Sequence, residues 1–77
     1  MVYLYMEKTL SKSERTRQFI IETTAPIFNT KGYEGTSMSD LTAATGLTKG
    51  SIYGNFENKE EVALCAFDYN HNQIRKV

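Results

Sequence analysis

The sequence predicts an all-α fold, with three helices followed by the start of a fourth, longer helix. Apolar residues recur at steps of three and four, as they do along one face of a helix. A serine, threonine or asparagine precedes each predicted helix, where its side chain can accept a hydrogen bond from a free backbone N–H group. No segment alternates apolar and polar residues as a half-buried strand does, so we predict no strands.

The first predicted helix begins after Ser11. Glu14 follows three residues later, which is the spacing of a capping box, in which the two side chains satisfy backbone N–H groups at the start of a helix. Pro26 has no N–H to donate, so we predict one helix that bends at the proline and ends at Gly32. The apolar stripe of this helix is formed by Ile20, Ile21, Ile27 and Phe28.

The second predicted helix covers residues 38–45. Ser37 and Asp40 repeat the capping-box spacing at its start, and Met38 and Leu41 would face the core. We expect Gly46 to end the helix in the left-handed conformation, which glycine adopts without strain.

The third predicted helix is short and carries few apolar residues. Thr48 can cap it, it runs to about Gly54, and Leu47 and Ile52 would hold it against the core. Its free side carries hydrogen-bond donors and one lysine but no acid, and consists of Thr48, Lys49, Gly50, Ser51, Tyr53 and Asn55. Such a surface suits a polyanion, because hydroxyl and amide groups reach phosphates and lysine reaches a phosphate or a guanine edge.

A tight turn at Gly46 between two short helices is typical of a helix-turn-helix, whose second helix enters the major groove of DNA. Because Gly50 has no side chain, the backbone of a partner could come close to the helix there. Any three-helix module would show similar periodicity, however, so the residues alone also allow a small helical protein-interaction domain.

The fourth predicted helix opens at Asn58, with Glu61 at the capping-box spacing and Glu60 beside it to favour the positive end of the helix dipole. The residues that can share its inner face are Val62, Ala66, either Tyr69 or Asn70, and Ile74.

The length and composition of the chain limit which classes of function are possible. The chain has 77 residues and a net charge of zero, so only the local placement of charge can favour nucleic acid. Its single cysteine, Cys65, suits a reducing compartment, and we expect a cytoplasmic protein. No apolar run is long enough for a membrane span, and residues 1–10 do not fit a signal peptide, so we expect a disordered leader there.

No pattern in the sequence predicts catalysis. One histidine, His71, and one cysteine occur without metal-ligand spacing, and no glycine-rich loop follows a strand. A Cys–His pair would also need an orienting group and a pocket. We therefore expect no enzyme activity, catalytic residue, metal or cofactor.

From Thr16 to Leu64, about two-thirds of the chain, the sequence resembles the DNA-binding domain of the tetracycline-repressor (TetR) family of bacterial regulators. The ordered combination is more specific than any single glycine spacing. The matching residues are Thr16, Arg17, Ile20, Phe28, Gly32, Tyr33, Thr36, Ser37, Asp40, Gly46, Leu47, Lys49, Gly50, Ile52, Tyr53, Phe56 and Lys59.

The resemblance implies a helix-turn-helix DNA-binding domain over residues 11–57 and a linking helix over 58–77. It implies that double-stranded DNA is the partner and that the full-length protein is a ligand-responsive repressor on a palindromic operator. A homodimer and a small-molecule inducer would both depend on a C-terminal ligand-binding domain that is absent from these 77 residues. The DNA contacts that it implies fall at Thr36, Thr48, Lys49, Ser51, Tyr53, Asn55 and Lys59, and we add Ser37 as a phosphate anchor.

Three positions depart from the family pattern. Asn55 stands where histidine is common, although asparagine can also donate to a phosphate or read adenine. Thr42 and Thr45 stand where alanine is common, and their hydroxyls need hydrogen-bond partners if they are buried. We expect Phe56 to belong to the core and Tyr33 to be a core or hinge contact.

Overall fold

The computed structural model describes residues 11–75 and, for side chains, residues 11–72. Over this range the chain forms four α-helices, which confirms the all-α prediction and the predicted order of elements. The expected leader over residues 1–10 and the side chain of Ile74 lie outside the described residues. The helices are α1 (Lys12–Gly35), α2 (Met38–Thr45), α3 (Lys49–Tyr53) and α4 (Lys59–Arg75).

Helix α1 begins as predicted and ends later than predicted. Both bonds of the first capping box are present: Glu14 N–H donates to the Ser11 hydroxyl at 3.1 Å, and Ser11 N–H donates to the Glu14 carboxylate at 2.8 Å. Pro26 lies inside the helix, and the backbone leaves helical geometry at Gly32, where φ is 77° and ψ is 173°. This positive φ favours glycine, so Gly32 interrupts the helix, and a further turn follows it to Gly35.

Helices α2 and α3 have the predicted ends. The capping box of Ser37 and Asp40 is complete, with bonds of 3.1 and 3.0 Å. Gly46 ends α2 in the left-handed conformation, at φ 74° and ψ 9°, which confirms the prediction. The Thr48 side chain then accepts from Ser51 N–H at 3.0 Å and so caps α3.

At the start of α4, one of the two hydrogen bonds of the predicted capping box is present. Glu61 N–H donates to the Asn58 side chain at 2.8 Å, as expected. The Glu61 carboxylate, however, accepts from Glu57 N–H at 2.7 Å, so the predicted reciprocal bond to Asn58 is wrong. The carboxylate also lies 3.5 Å from the Arg17 guanidinium of α1.

The core forms where all four helices meet. Helix α1 packs mainly against α4 and also against α2, while α3 contacts α2. Helix α4 supplies three of the core side chains, Val62, Ala63 and Ala66. The buried apolar residues are Ile20, Ala25, Phe28, Leu41, Ile52, Phe56, Val62, Ala63 and Ala66.

Hydroxyl groups inside this core are satisfied by the backbone. Thr24 donates to the Ile20 carbonyl at 2.8 Å, and Thr45 donates to the Leu41 carbonyl at 2.8 Å. Among the described residues, no buried side-chain nitrogen or oxygen lacks a hydrogen-bond partner. None of the helices in this range has both the length and the apolar character that a membrane crossing needs.

Candidate nucleic-acid interface

Helix α3 has only five residues and is anchored by one buried side chain. That anchor is Ile52, which is fully buried, while Leu47 packs against the core from the preceding turn. Lys49 and Gly50 are exposed, and Tyr53 is 38% exposed. The structure therefore holds the helix by one side and leaves most of its other side accessible, as the sequence predicts.

The cap residues Thr48 and Ser37 are both exposed on the surface. Each hydroxyl accepts one backbone N–H bond at the start of its own helix, at 3.0 Å for Thr48 and 3.1 Å for Ser37. A hydroxyl group also carries one donor hydrogen. Both caps can therefore stabilise their helices and still donate to a phosphate.

Packing within the chain does not explain the glycine at position 50. A Cβ atom built on Gly50 would meet one atom within 4 Å, the Thr48 hydroxyl at 4.0 Å. The backbone φ at Gly50 is also not positive. An alanine would therefore fit here, and the exposed backbone leaves room for a surface that approaches from outside.

Asn55 is half-buried and serves α3 itself. Its Nδ2 donates to the Ser51 carbonyl at 3.0 Å, across the C-terminal end of the helix. An amide NH₂ group has two donor hydrogens, so one remains for an outside partner. Ser51 is also half-buried, and both residues lie at the margin of the free side rather than at its centre.

Thr36 does not lie at the surface. It is fully buried, its hydroxyl donates to the Gly32 carbonyl at 2.7 Å, and its N–H donates to the Tyr33 carbonyl at 3.3 Å. These two bonds close the turn that follows α1. The structure therefore gives Thr36 a structural role, and its side chain is not placed for the predicted phosphate contact.

Lys59, the first residue of α4, stacks on Tyr33. Its Nζ lies 4.5 Å from the centre of the Tyr33 ring, within the range of a cation–π contact. Of the two roles expected for Tyr33, a core or a hinge contact, its 38% exposure rules out the core contact. The cation–π contact restrains a lysine that is predicted to meet DNA.

The charges close to α3 favour an anionic partner. Of the two ion pairs among the side chains of residues 11–72, Arg17–Glu61 and Lys31–Asp40, neither engages Lys49. The Ser37 N–H and Lys31 lower the pKa of Asp40, so this carboxylate is ionised and already engaged. In the same range, no group of three or more His, Cys, Asp or Glu residues is placed to hold a metal ion.

Arg17 is the residue whose role the sequence did not reveal. Its Nη1 donates to the Asn55 carbonyl at 2.7 Å, and its guanidinium lies 4.3 Å from the centre of the Phe56 ring. The sequence did contain one indication of this role. Arg17 precedes Ile20 by three residues, so it lies on the same face of α1 as the apolar stripe. A side chain at that position faces the other helices rather than solvent.

Comparisons with known proteins agree with this geometry. Residues 20–65 match the family described as bacterial regulatory proteins, tetR family. The crystal structure of a TetR-family transcriptional regulator from Cytophaga hutchinsonii superposes with a TM-score of 0.86 at 72% sequence identity, over 87% of this chain and 34% of that chain.

Curated relatives include two named transcription regulators. The biofilm operon icaADBC HTH-type negative transcriptional regulator IcaR of Staphylococcus aureus (strain Newman) is 36% identical, over 71% of this chain and 32% of that protein. The HTH-type transcriptional regulator AcrR of Shigella flexneri is 33% identical, over 87% of this chain and 31% of that protein. The chain thus spans about a third of the length of these relatives.

The resemblance found in the sequence is confirmed. The family match covers more than half of the chain, and both the fold and the named relatives are those of regulators rather than enzymes. The chain belongs to the tetR family of bacterial regulatory proteins.

Proposed function

We propose that this chain is the sequence-specific DNA-binding part of a bacterial transcription repressor. The observation that carries the proposal is the placement of α3, which buries Ile52 and leaves Lys49, Gly50 and Tyr53 on an accessible surface without an acid. The name of the relative IcaR, a negative transcriptional regulator, supports repression as the outcome of binding.

In this proposal α3 lies in the major groove. Lys49 contacts a phosphate or a guanine edge, and the Tyr53 hydroxyl donates to a phosphate. Gly50, which has no side chain, lets the DNA backbone come close to the helix. The margin of the surface adds Ser51, and Asn55 adds its remaining N–H. The flanking phosphates are held by the residues at helix starts, Ser37, Thr48 and Lys59.

The operator and the regulatory response involve more than this chain. We propose that the full-length protein binds a palindromic operator as a homodimer in the cytoplasm, and that its inducer binds outside residues 1–77. One short helix reaches few bases, and two linked heads gain a high effective concentration at the second half-site. Residues 11–57 would then form the reading unit and residues 58–77 the helix that leads to the ligand-binding domain.

Salt dependence tests the DNA proposal. The 77-residue chain is used to select short duplexes from a random-sequence library, and the affinity for the selected duplex is then titrated at rising salt. Each phosphate contact contributes about 0.9 to the slope of log affinity against log salt. We expect a slope that corresponds to several phosphate contacts, and a clear preference for the selected duplex over a scrambled duplex. Selection of no sequence would contradict the proposal.

Lys49→Gln sharpens this test. If Lys49 meets a phosphate, the slope falls by about 0.9, and if it reads guanine, the loss falls on one base position. Lys12→Gln makes the same charge change at the exposed start of α1 and serves as the control. An unchanged slope and unchanged base preference for Lys49→Gln would remove Lys49 from the site.

A protein-interaction domain remains the second candidate function. Among the side chains of residues 11–72, three large apolar ones on α1 and α4 are exposed, and such residues favour protein contacts. They are Phe19, Leu64 and Phe67. An apolar protein contact would not weaken steeply with salt, so the same titration separates the two functions.

A further inference from the structure

Arg17 connects three helices through one side chain. From α1, its Nη1 donates to the carbonyl of Asn55, just beyond α3, at 2.7 Å. Its Nη2 lies 3.5 Å from the Glu61 carboxylate and 3.5 Å from the Cys65 sulfur, both on α4. The guanidinium also lies over the Phe56 ring, with 4.3 Å to the ring centre.

The contact with the Asn55 carbonyl is the strongest of these. A hydrogen bond from a charged donor is shorter and stronger than one between neutral groups, and 2.7 Å lies at the short end of the range. The pair with Glu61 is longer, and its side chains are 37% and 38% exposed, so it contributes little. Arg17 therefore acts mainly on the C-terminal end of α3.

Helix α3 needs such a contact. With five residues it is far too short to be stable alone, so tertiary contacts must set its orientation. Ile52 fixes its inner side, and the N–H groups of Asn55 and Phe56 both donate to the Ile52 carbonyl. The Asn55 carbonyl then lies at the negative end of the helix, where a cation is favourable. In the described part of the chain, Arg17 supplies the hydrogen bond to that oxygen.

We propose that Arg17 is a positioning residue for DNA recognition: it fixes the C-terminal end of α3 and thereby sets how well α3 discriminates between DNA sequences. The proposal rests on the proposed function of α3. We assign Arg17 to α3 rather than to DNA, because its two terminal nitrogens and one face of its guanidinium contact Asn55, Glu61 and Phe56 within the chain.

The variant Arg17→Lys tests this role, because lysine keeps the charge and loses both the planar stack and the forked donors. Arg15→Lys is the matched control: it makes the same change two residues earlier, at an exposed position. Amide hydrogen exchange is measured on the free 77-residue chain. In Arg17→Lys we expect about tenfold faster exchange at residues 54–56, the factor for one lost charged hydrogen bond, with other amides unchanged.

The second variant, Glu61→Gln, removes the ion pair and keeps an oxygen that can accept from Glu57 N–H. We expect it to exchange like the parent at residues 54–56. If Glu61→Gln matched Arg17→Lys, the ion pair rather than the Asn55 contact would hold α3, and the proposal would be overturned. Faster exchange spread evenly over all helices in Arg17→Lys would also overturn it, since that indicates a merely structural role.

DNA binding gives the second readout. The probes are a duplex selected by the parent chain and a scrambled duplex of the same composition. We expect Arg17→Lys to bind the selected duplex about tenfold more weakly, with scrambled-duplex affinity and salt slope unchanged. If the affinity fell equally for both duplexes and the salt slope fell by the amount of one phosphate contact, Arg17 would contact a phosphate. If the parent selects no duplex, the proposed function fails, while the exchange experiment still decides whether Arg17 holds α3.

Discussion

At the scale of single residues, Tyr53 separates binding from stability. It is 38% exposed, so part of its ring is covered by the protein while part remains accessible. Tyr53→Phe keeps the ring and removes one hydroxyl donor. We expect it to weaken DNA binding by about 1 kcal/mol, the net contribution of one hydrogen bond, and to leave thermal stability unchanged. Gel-shift titration and thermal unfolding measure the two effects.

Tyr33 is the matched control for Tyr53. It is equally exposed at 38%, but lies outside α3, under Lys59. Tyr33→Phe keeps the ring that Lys59 stacks on, so we expect no change in affinity. Equal affinity of Tyr53→Phe and the parent would refute the proposed hydroxyl contact.

The capping carboxylates predict the response to acid. The Ser11 N–H lowers the pKa of Glu14 below its ordinary value of 4.5, and the Ser37 N–H with Lys31 lowers the pKa of Asp40 below 3.8. The unfolded chain binds these protons more readily, so the stabilisation is complete above the ordinary values and is lost as the pH falls below them. Urea unfolding between neutral pH and pH of about 3 measures this loss.

The isosteric variant Asp40→Asn isolates the charge at the start of α2. It keeps an oxygen that can accept from Ser37 N–H, but it cannot titrate. We expect its stability to fall less steeply with acid than that of the parent. Identical acid profiles for the two proteins would show that the Asp40 carboxylate does not contribute.

At the scale of elements, two glycines should respond to alanine in opposite ways. Gly46 has φ 74° with no atom within 4 Å of an added Cβ, so Gly46→Ala suffers only backbone strain, about 1–2 kcal/mol. Gly50 lies inside α3, where alanine is the better helix former by about 1 kcal/mol. We expect Gly50→Ala to raise stability and weaken DNA binding. Unchanged DNA affinity for Gly50→Ala would contradict the close approach proposed there.

Pro26 lies inside α1 and has no N–H group, so the helix lacks one backbone hydrogen bond there. The proline is exposed, and α1 continues through it. Alanine restores the bond to the Glu22 carbonyl, so we expect Pro26→Ala to raise the free energy of unfolding by about 1–3 kcal/mol. Urea unfolding checks this. A large loss of stability would instead show that the packing of α1 requires the proline ring.

The parts of the molecule that could be predicted from sequence are those set by neighbouring residues. The bounds of α2, the left-handed Gly46 and the cap at Thr48 follow from patterns within four residues. Burial of Ile52 and Phe56 follows from their apolar side chains next to a turn.

The remaining features depend on distant pairs or on turn geometry. Arg17 meets Asn55 across 38 residues of chain and Glu61 across 44, and no local pattern encodes such a partner. The family resemblance implied a DNA contact, and so a surface position, for Thr36. It is buried because the turn after Gly32 directs its hydroxyl back to a carbonyl.

At the scale of the whole molecule, we expect the 77-residue chain to be a monomer that binds one half-site weakly. In the part of α1 and α4 whose side chains the structure describes, few apolar side chains are exposed, whereas a stable dimer buries about 1,200–2,000 Å². Sedimentation, with titration of half-site and full-site duplexes, measures both properties. A stable dimer at micromolar concentration, or equal half-site and full-site affinity for the full-length protein, would contradict this expectation.

The single anchor of α3 has a consequence for how such regulators diverge. Because Ile52 is the one side chain of α3 that is buried in the core, the outer residues Lys49, Gly50 and Tyr53 can change with little effect on folding. Mutation can then alter the preferred DNA sequence without first passing through unstable intermediates. We expect gene duplicates of this protein to acquire new target sites mainly through changes at these outer positions, while Ile52, Gly46 and Arg17 stay fixed.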